Sequence, residues 1–227
     1  MSNPRTPFHC KLLFINLILI IILYPFLLDG FKRIILHFAF LTMIFTTVHA
    51  LASNRRLVLG AIVIGVPWIV LTIISIGVHL ISTNYDAYVP ALECLASLFS
   101  MTFMIYAAAL LFQYIISSTN VTDDILFAAA SLYILIGLAW SLAFALIEFF
   151  QPGSFQISDA LLNQYTVREW PLFAYYSFIT LTTLGYGDIT PVSPFSQSIA
   201  ILESLTGVFY MALIIARLVS MYQPSKT

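Results

Sequence analysis

Thr182-Thr183-Leu184-Gly185-Tyr186-Gly187-Asp188 is the stretch on which the fold of this 227-residue chain turns. Two glycines flank a tyrosine directly behind a pair of threonines. Glycine enters φ > 0 at little steric cost, so the backbone here can turn successive carbonyls toward one axis. Rings of such carbonyls can replace the water around a dehydrated cation, and the Thr183 hydroxyl can add one further oxygen layer. Immediately upstream, 171–182 predicts a helix of about 18 Å by the helical rise, too short to cross a bilayer but able to enter one and stop midway. Pro171 suits the first helical position, where a missing N–H is harmless, and Glu169 lies beside that positively polarised end. A re-entrant helix of this kind is tolerated only where protein or a water-filled cavity surrounds it.

The rest of the chain supplies such surroundings. It is 61% hydrophobic and 8% charged, whereas a soluble domain carries about a quarter charged residues. Apolar runs near the roughly 20-residue crossing length predict membrane helices at 12–28, 34–52, 57–81, 91–116, 125–150 and 195–222. The fold class expected is therefore an all-α membrane protein with six transmembrane helices, the re-entrant helix lying between the fifth and sixth. Placing the N-terminus in the cytoplasm puts Arg5, Lys11, Arg55, Arg56, Arg217 and Lys226 inside and leaves Lys32, Arg33 and Arg168 outside, as the positive-inside rule favours. Both termini are then cytoplasmic, and the first apolar run reads as an uncleaved signal-anchor. The Asn120-Val121-Thr122 sequon is left unused on the cytoplasmic face. Cys10 and Cys94 fall on opposite sides of the membrane and are not expected to bridge. No basic run points to nucleic acid, and no soluble partner is implied.

Residues 182–188 resemble the selectivity filter of the potassium channel family, Thr-Val/Ile-Gly-Tyr-Gly-Asp, with Leu184 in place of the usual β-branched residue. The resemblance extends over about 123–222: an outer helix at 123–150 opened by Thr122, Asp123 and Asp124, a turret begun by Gln151-Pro152-Gly153, the pore helix 171–182, the filter 183–188 and the inner helix 195–222. It implies a K⁺ channel, with K⁺ held at Thr183, Leu184, Gly185 and Tyr186 and with no organic cofactor. One filter occurs per chain and a single loop cannot encircle an ion, so a homotetramer among membrane lipids is expected. Tyr175 and Tyr176 lie eight and seven residues before Thr183, where the family carries an aromatic cuff bracing the filter tyrosine, here Tyr186. The other reading is that these two aromatics fill core space. Thr182 supports the filter from below.

Val208, Met211, Ile215 and Val219 share one face of the inner helix; that face either lines the pore and forms a dewetting gate or packs against neighbours. Gly207 stands nineteen residues after Asp188, where family members often carry a hinge, although close packing is an equal use of a membrane glycine. Glu203, one turn earlier, is an ionisable group at membrane depth and hence a functional candidate. It either braces the filter through Thr180 or Thr182, Ile179 standing where some channels carry a pore-helix carboxylate, or contributes negative potential near the cavity, or is a locally satisfied carboxyl.

Residues 1–117 form a four-helix unit without voltage-sensor arginines, and 118–227 the pore domain. No charged residue occurs from Cys94 to Thr122, and sensing commonly uses about 3–4 charges per subunit, so conventional voltage gating is not expected. Pro67 predicts a kink in the third span. His37, His49 and His79 are scattered and read as satisfied polar groups rather than pH sensors. The chain is not expected to be an enzyme, because its intramembrane polar residues form no nucleophile–base pair or metal cluster. Alternatives are a weakly selective cation channel or, in another class, a secondary transporter; the latter would show matching broken helices in two halves. The setting expected is a prokaryotic plasma membrane.

Overall fold

The computed structural model describes residues 9–23, 33–50, 55–81, 89–163 and 170–221. Arg5, Lys32, Arg168, Glu169, Tyr222 and Lys226 lie outside them, as do the side chains of His37, His49 and His79. The described chain is helical apart from one small ribbon: α1 (His9–Leu23), α2 (Arg33–Ala50), α3 (Arg55–Ile81), α4 (Val89–Ser117), α5 (Asp123–Phe150), β1 (Phe155–Ile157), α6 (Asp159–Leu162), α7 (Trp170–Leu181), β2 (Ile189–Pro191) and α8 (Pro194–Met221). Among the described residues, four helices are long and apolar enough to cross a membrane, at Leu57–Ser75, Pro90–Ser117, Asp123–Phe150 and Pro194–Met221. The expectation of six is thus met in part. The described part of α1 has 15 residues, about 22 Å by the helical rise, and 24–28 of its expected span lie outside the described residues. α2 has 18 residues and is not among the four.

The chain divides into two compact units, Met1–Leu135 and Ile136–Thr227, so α5 contributes to both. In the first, α1 lies on α2 and α3 lies along α4. Trp68 packs edge-on against Phe40 and tilts onto Phe103. Gly65 brings α3 close to Ile44 and Phe103, as small residues do wherever membrane helices pack tightly. Asn16 Nδ2 donates to Thr42 Oγ1 across α1 and α2 at 2.5 Å. The Tyr106 hydroxyl donates to the Leu57 carbonyl at 2.9 Å. α3 continues through Pro67, although the ring removes the amide that would bond the Val63 carbonyl.

In the second unit, α7 is held between α5 and α8. Phe144, Phe155, Leu172, Phe173, Tyr176, Ile179, Ile189 and Ala200 form its core. Phe144 lies 4.9 Å from the Tyr176 ring and 5.6 Å from Phe155, both edge-on, the geometry in which ring edges meet ring faces. The turret that follows α5 is ordered by Glu148, which is buried. Its two oxygens accept the amides of Gly153 at 2.7 Å and Phe155 at 3.2 Å. Gly153 sits at φ +85°, the left-handed conformation that commonly stops a helix. β1 then pairs antiparallel with β2, Gln156 opposite Thr190. α8 begins with Ser193 as cap, its Oγ accepting the Ser196 amide at 3.1 Å, and Pro194 at the first helical position.

Phe144 touches both β1, through Phe155, and α7, through Tyr176, so Phe144→Ala is expected to lower stability by about 3 kcal/mol or more. The check is the thermal unfolding of purified protein in detergent beside the exposed control Phe150→Ala, which should change little.

Candidate functional site

The site is the end of α7 and the strand of chain that leaves it. A helix leaves its last four carbonyls without internal partners. Three of those of α7 are satisfied by the residues that follow. The Thr182 amide donates to Phe178 O at 3.1 Å, the Thr183 amide to Thr180 O at 3.0 Å, and the Leu184 and Gly185 amides both to Ile179 O, at 2.8 and 3.1 Å. With these N–H groups turned back toward α7, the carbonyls turn the other way. The backbone has positive φ at every second residue: Thr183 at 59°, Gly185 at 54° and Gly187 at 78°. Alternating left- and right-handed residues gather amides on one side and carbonyls on the other. Among the described residues, no hydrogen bond reaches the carbonyls of Thr183, Leu184, Gly185, Tyr186 or Gly187. Thr183 is β-branched, and positive φ is an outlier for such a residue. Held conformations of this kind cost on the order of 1–3 kcal/mol and persist only where the surroundings fix them.

Both ends of this segment are anchored. At the inner end, the Thr182 hydroxyl donates to Phe178 O at 2.7 Å. At the outer end, the Tyr175 hydroxyl donates to Asp188 Oδ2 at 2.5 Å and the Ile189 amide to Oδ1 at 3.1 Å. The Asp188 carbonyl accepts the Ser158 amide at 2.9 Å, which joins the segment to the ribbon. Tyr175 therefore holds Asp188. Tyr176 packs into the core with Phe144 and Phe155. No ring contact joins either tyrosine to Tyr186 within the chain, and Tyr186 is 67% exposed. Within the described single chain, the Tyr175 hydroxyl is engaged with Asp188 and the Tyr176 ring with Phe144 and Phe155.

Glu203 is fully buried. Its partner is neither Thr180 nor Thr182 but Ser177, whose hydroxyl lies against Oε1. Thr182 is committed to its own helix, whereas Ser177 stands on the face of α7 turned toward α8. Ser177 Oγ also reaches the Gly137 carbonyl of α5 at 2.7 Å, so three helices meet at one hydroxyl. Gly207, one turn beyond Glu203, packs against the carbonyl end of α7; a Cβ there would overlap the Leu181 carbonyl oxygen. The pairs Ser177/Leu181 and Glu203/Gly207 are each spaced i, i+4, which puts both members on one helix face. Val208, Met211, Ile215 and Val219 lie exposed in the single chain.

Ser177, Gly137, Glu148, and Trp170, which donates to Ser141 Oγ at 2.9 Å, were not singled out by the sequence. The one available signal was that a buried Glu203 needs a donor and α7 offers a serine one turn from Leu181. Among the described residues, no group of three or more His, Cys, Asp or Glu could hold a metal ion. The oxygens available for a cation are backbone carbonyls.

Residues 142–223 match the family described as "Ion channel", a family of channels and not of enzymes. The chain is also similar to a protein of Aeropyrum pernix named "Voltage-gated potassium channel", 31% identical over 100 residues, which make up 43% of this chain and 28% of that relative. The chain therefore aligns with less than a third of the relative's length. No solved structure matches. These similarities, with the fold, place an ion-channel region at the C-terminal part of a multi-helix membrane protein.

Ser177→Ala strands the Glu203 carboxyl in the interior. The expected loss is about 1–3 kcal/mol, read as a lower unfolding temperature in detergent. Glu203→Gln can still bond Ser177 Oγ and should lose clearly less; equal losses in the two variants would count against the bond.

Proposed function

We propose that this chain is one subunit of a K⁺-selective channel and that 183–188 is its filter. The observation that carries the reading is the alternation of positive φ at Thr183, Gly185 and Gly187 above a helix end whose carbonyls take up the amides of Thr182, Thr183, Leu184 and Gly185. Such a segment offers a ladder of carbonyl oxygens, extended by the Thr183 hydroxyl, which suits a dehydrated monovalent cation. K⁺ is cargo here, taken at the carbonyls of Thr183, Leu184, Gly185 and Tyr186. Because the ligands are backbone atoms, Leu184 changes the packing around the ladder and not its oxygens.

One chain offers one ladder, and a ring needs four, so the working assembly is a homotetramer with its axis along the filters. The burial pattern supports neighbours: 22% of the α8 span is buried within the chain, against 61% of the α5 span. In the tetramer, Glu203 and Thr182 support the filter, Tyr175 and Tyr176 fix its outer wall, and Val208, Met211, Ile215 and Val219 face the inner cavity. Gly207 serves the close approach of α8 to the end of α7, and any bend of α8 has this point as its fulcrum. The six-span plan with cytoplasmic termini, in a prokaryotic plasma membrane, is the arrangement we favour for the whole chain. Glu93 is the one charged residue of α4, so the pore is not opened by a conventional arginine-bearing sensor.

The reading is tested by reversal potentials of purified protein in planar bilayers under K⁺/Na⁺ bi-ionic conditions, with Ba²⁺ block as control. Reversal near the K⁺ equilibrium value is expected, and comparable Na⁺ permeation would replace selectivity with a general cation pore. If Met211 or Ile215 closes the path, serine at either position should raise resting conductance through easier wetting. Unchanged currents in both would remove the gate from that face.

A further inference from the structure

Asp124 does more than open α5. Its side chain is 5% exposed and accepts two hydrogen bonds from distant parts of the chain. The backbone N–H of Cys10 donates to Oδ1 at 3.2 Å, and the Tyr114 hydroxyl donates to Oδ2 at 2.7 Å. Cys10 is the second residue of α1, and its amide is one of the four that an α-helix cannot satisfy internally. Asp124 caps α1 from 114 residues away. The same carboxylate lies in the first turn of α5, so two helix N-termini face one negative charge, and each stabilises it.

The contact extends beyond the carboxylate. Lys11 Nζ lies 5.9 Å from the centroid of the Phe127 ring, within cation–π range. Phe14 meets the same ring at 5.6 Å between centroids. The start of α1 thereby grips the first two turns of α5, and Tyr114 ties in the last turn of α4. Residues 118–122, which join α4 to α5, are few and uncharged and offer no lever of their own. α5 is a single helix from Asp123 to Phe150, and further along it Gly137 packs under Phe178 of α7. The helix held at its first turn is thus the same helix whose later residues pack on α7.

We propose that Asp124 is the latch through which α1 fixes the start of α5 and so sets how readily the pore opens, an inference that rests on the channel reading above. α1 acts here as a regulator in contact with the pore's outer helix, and not only as an insertion anchor.

The latch can be cut from either side without touching Asp124. Cys10→Pro deletes the donating amide at a position in the first helical turn, where proline is tolerated, and Cys10→Ala, which keeps the amide, is the control for the lost buried thiol. Tyr114→Phe deletes only the donating hydroxyl. Cys10→Pro and Tyr114→Phe are both expected to shift the ratio of open to closed channels in planar bilayers in the same direction, by about tenfold for a charge-assisted bond, with the K⁺/Na⁺ reversal potential unchanged. Combined, they should be non-additive, because both act through one carboxylate. Hydrogen exchange reads the latch independently of current: Asp124→Ala should speed exchange of the amides in the first turn of α1. Unchanged exchange overturns the latch. Faster exchange with open probability within twofold of the parent in every variant overturns its regulatory role. The reversal potential of the unsubstituted channel checks the pore reading separately, so the two failures are told apart.

Discussion

A twelve-residue helix must dispose of the carbonyls at its end, and most of the C-terminal unit follows from how α7 does so. Water would satisfy them at a surface, but here the chain itself supplies the donors. The amides of Thr182, Thr183, Leu184 and Gly185 fold back onto Phe178, Thr180 and Ile179. Once those amides are spent on the helix end, the carbonyls of the same residues have no direction left but outward. The cap of the helix and the carbonyl ladder are one structure. Left-handed conformations at Thr183, Gly185 and Gly187 are its backbone expression. Two of the three are glycines, for which they are unstrained; only the threonine is held against its preference.

The second requirement is that this cap stay where it is, and α8 meets it with a matched pair of contacts. Ser177 and Leu181 face Glu203 and Gly207 in register, one hydrogen bond and one close approach a turn apart. The hydrogen bond fixes rotation and the glycine fixes distance. Because Ser177 also reaches the Gly137 carbonyl, the same hydroxyl ties down α5. At the outer face, Tyr175, Asp188 and Ser158 do for the far end of the ladder what Ser177 does for the near end.

Local chemistry made some of this readable in sequence and tertiary context hid the rest. The Gly-Tyr-Gly run, the proline at the start of α7, the threonine and two aspartates that open α5 and the proline-glycine that ends it each act within a few residues, so their effects appear in the primary structure. The partner of Glu203 depends on which faces of two helices meet, and nothing local distinguishes Ser177 from Thr180 for that purpose. The β1–β2 ribbon has strands of three residues each, too short for an alternating pattern to register. Glu148 reads as an ordinary acid at a helix end until the turret folds over it.

The unsatisfied carbonyls have a thermodynamic corollary. Several dipoles held parallel on one strand repel each other, and four strands around an axis repel further. In the channel reading no donor of the described chain meets them, and the amides of Thr183, Leu184 and Gly185 are engaged with the end of α7. The permeant cation then becomes a constituent of the mouth that it crosses. Its binding favours the assembled state over the disassembled one by mass action, and the fold of this region and the ion gradient across it form one coupled equilibrium.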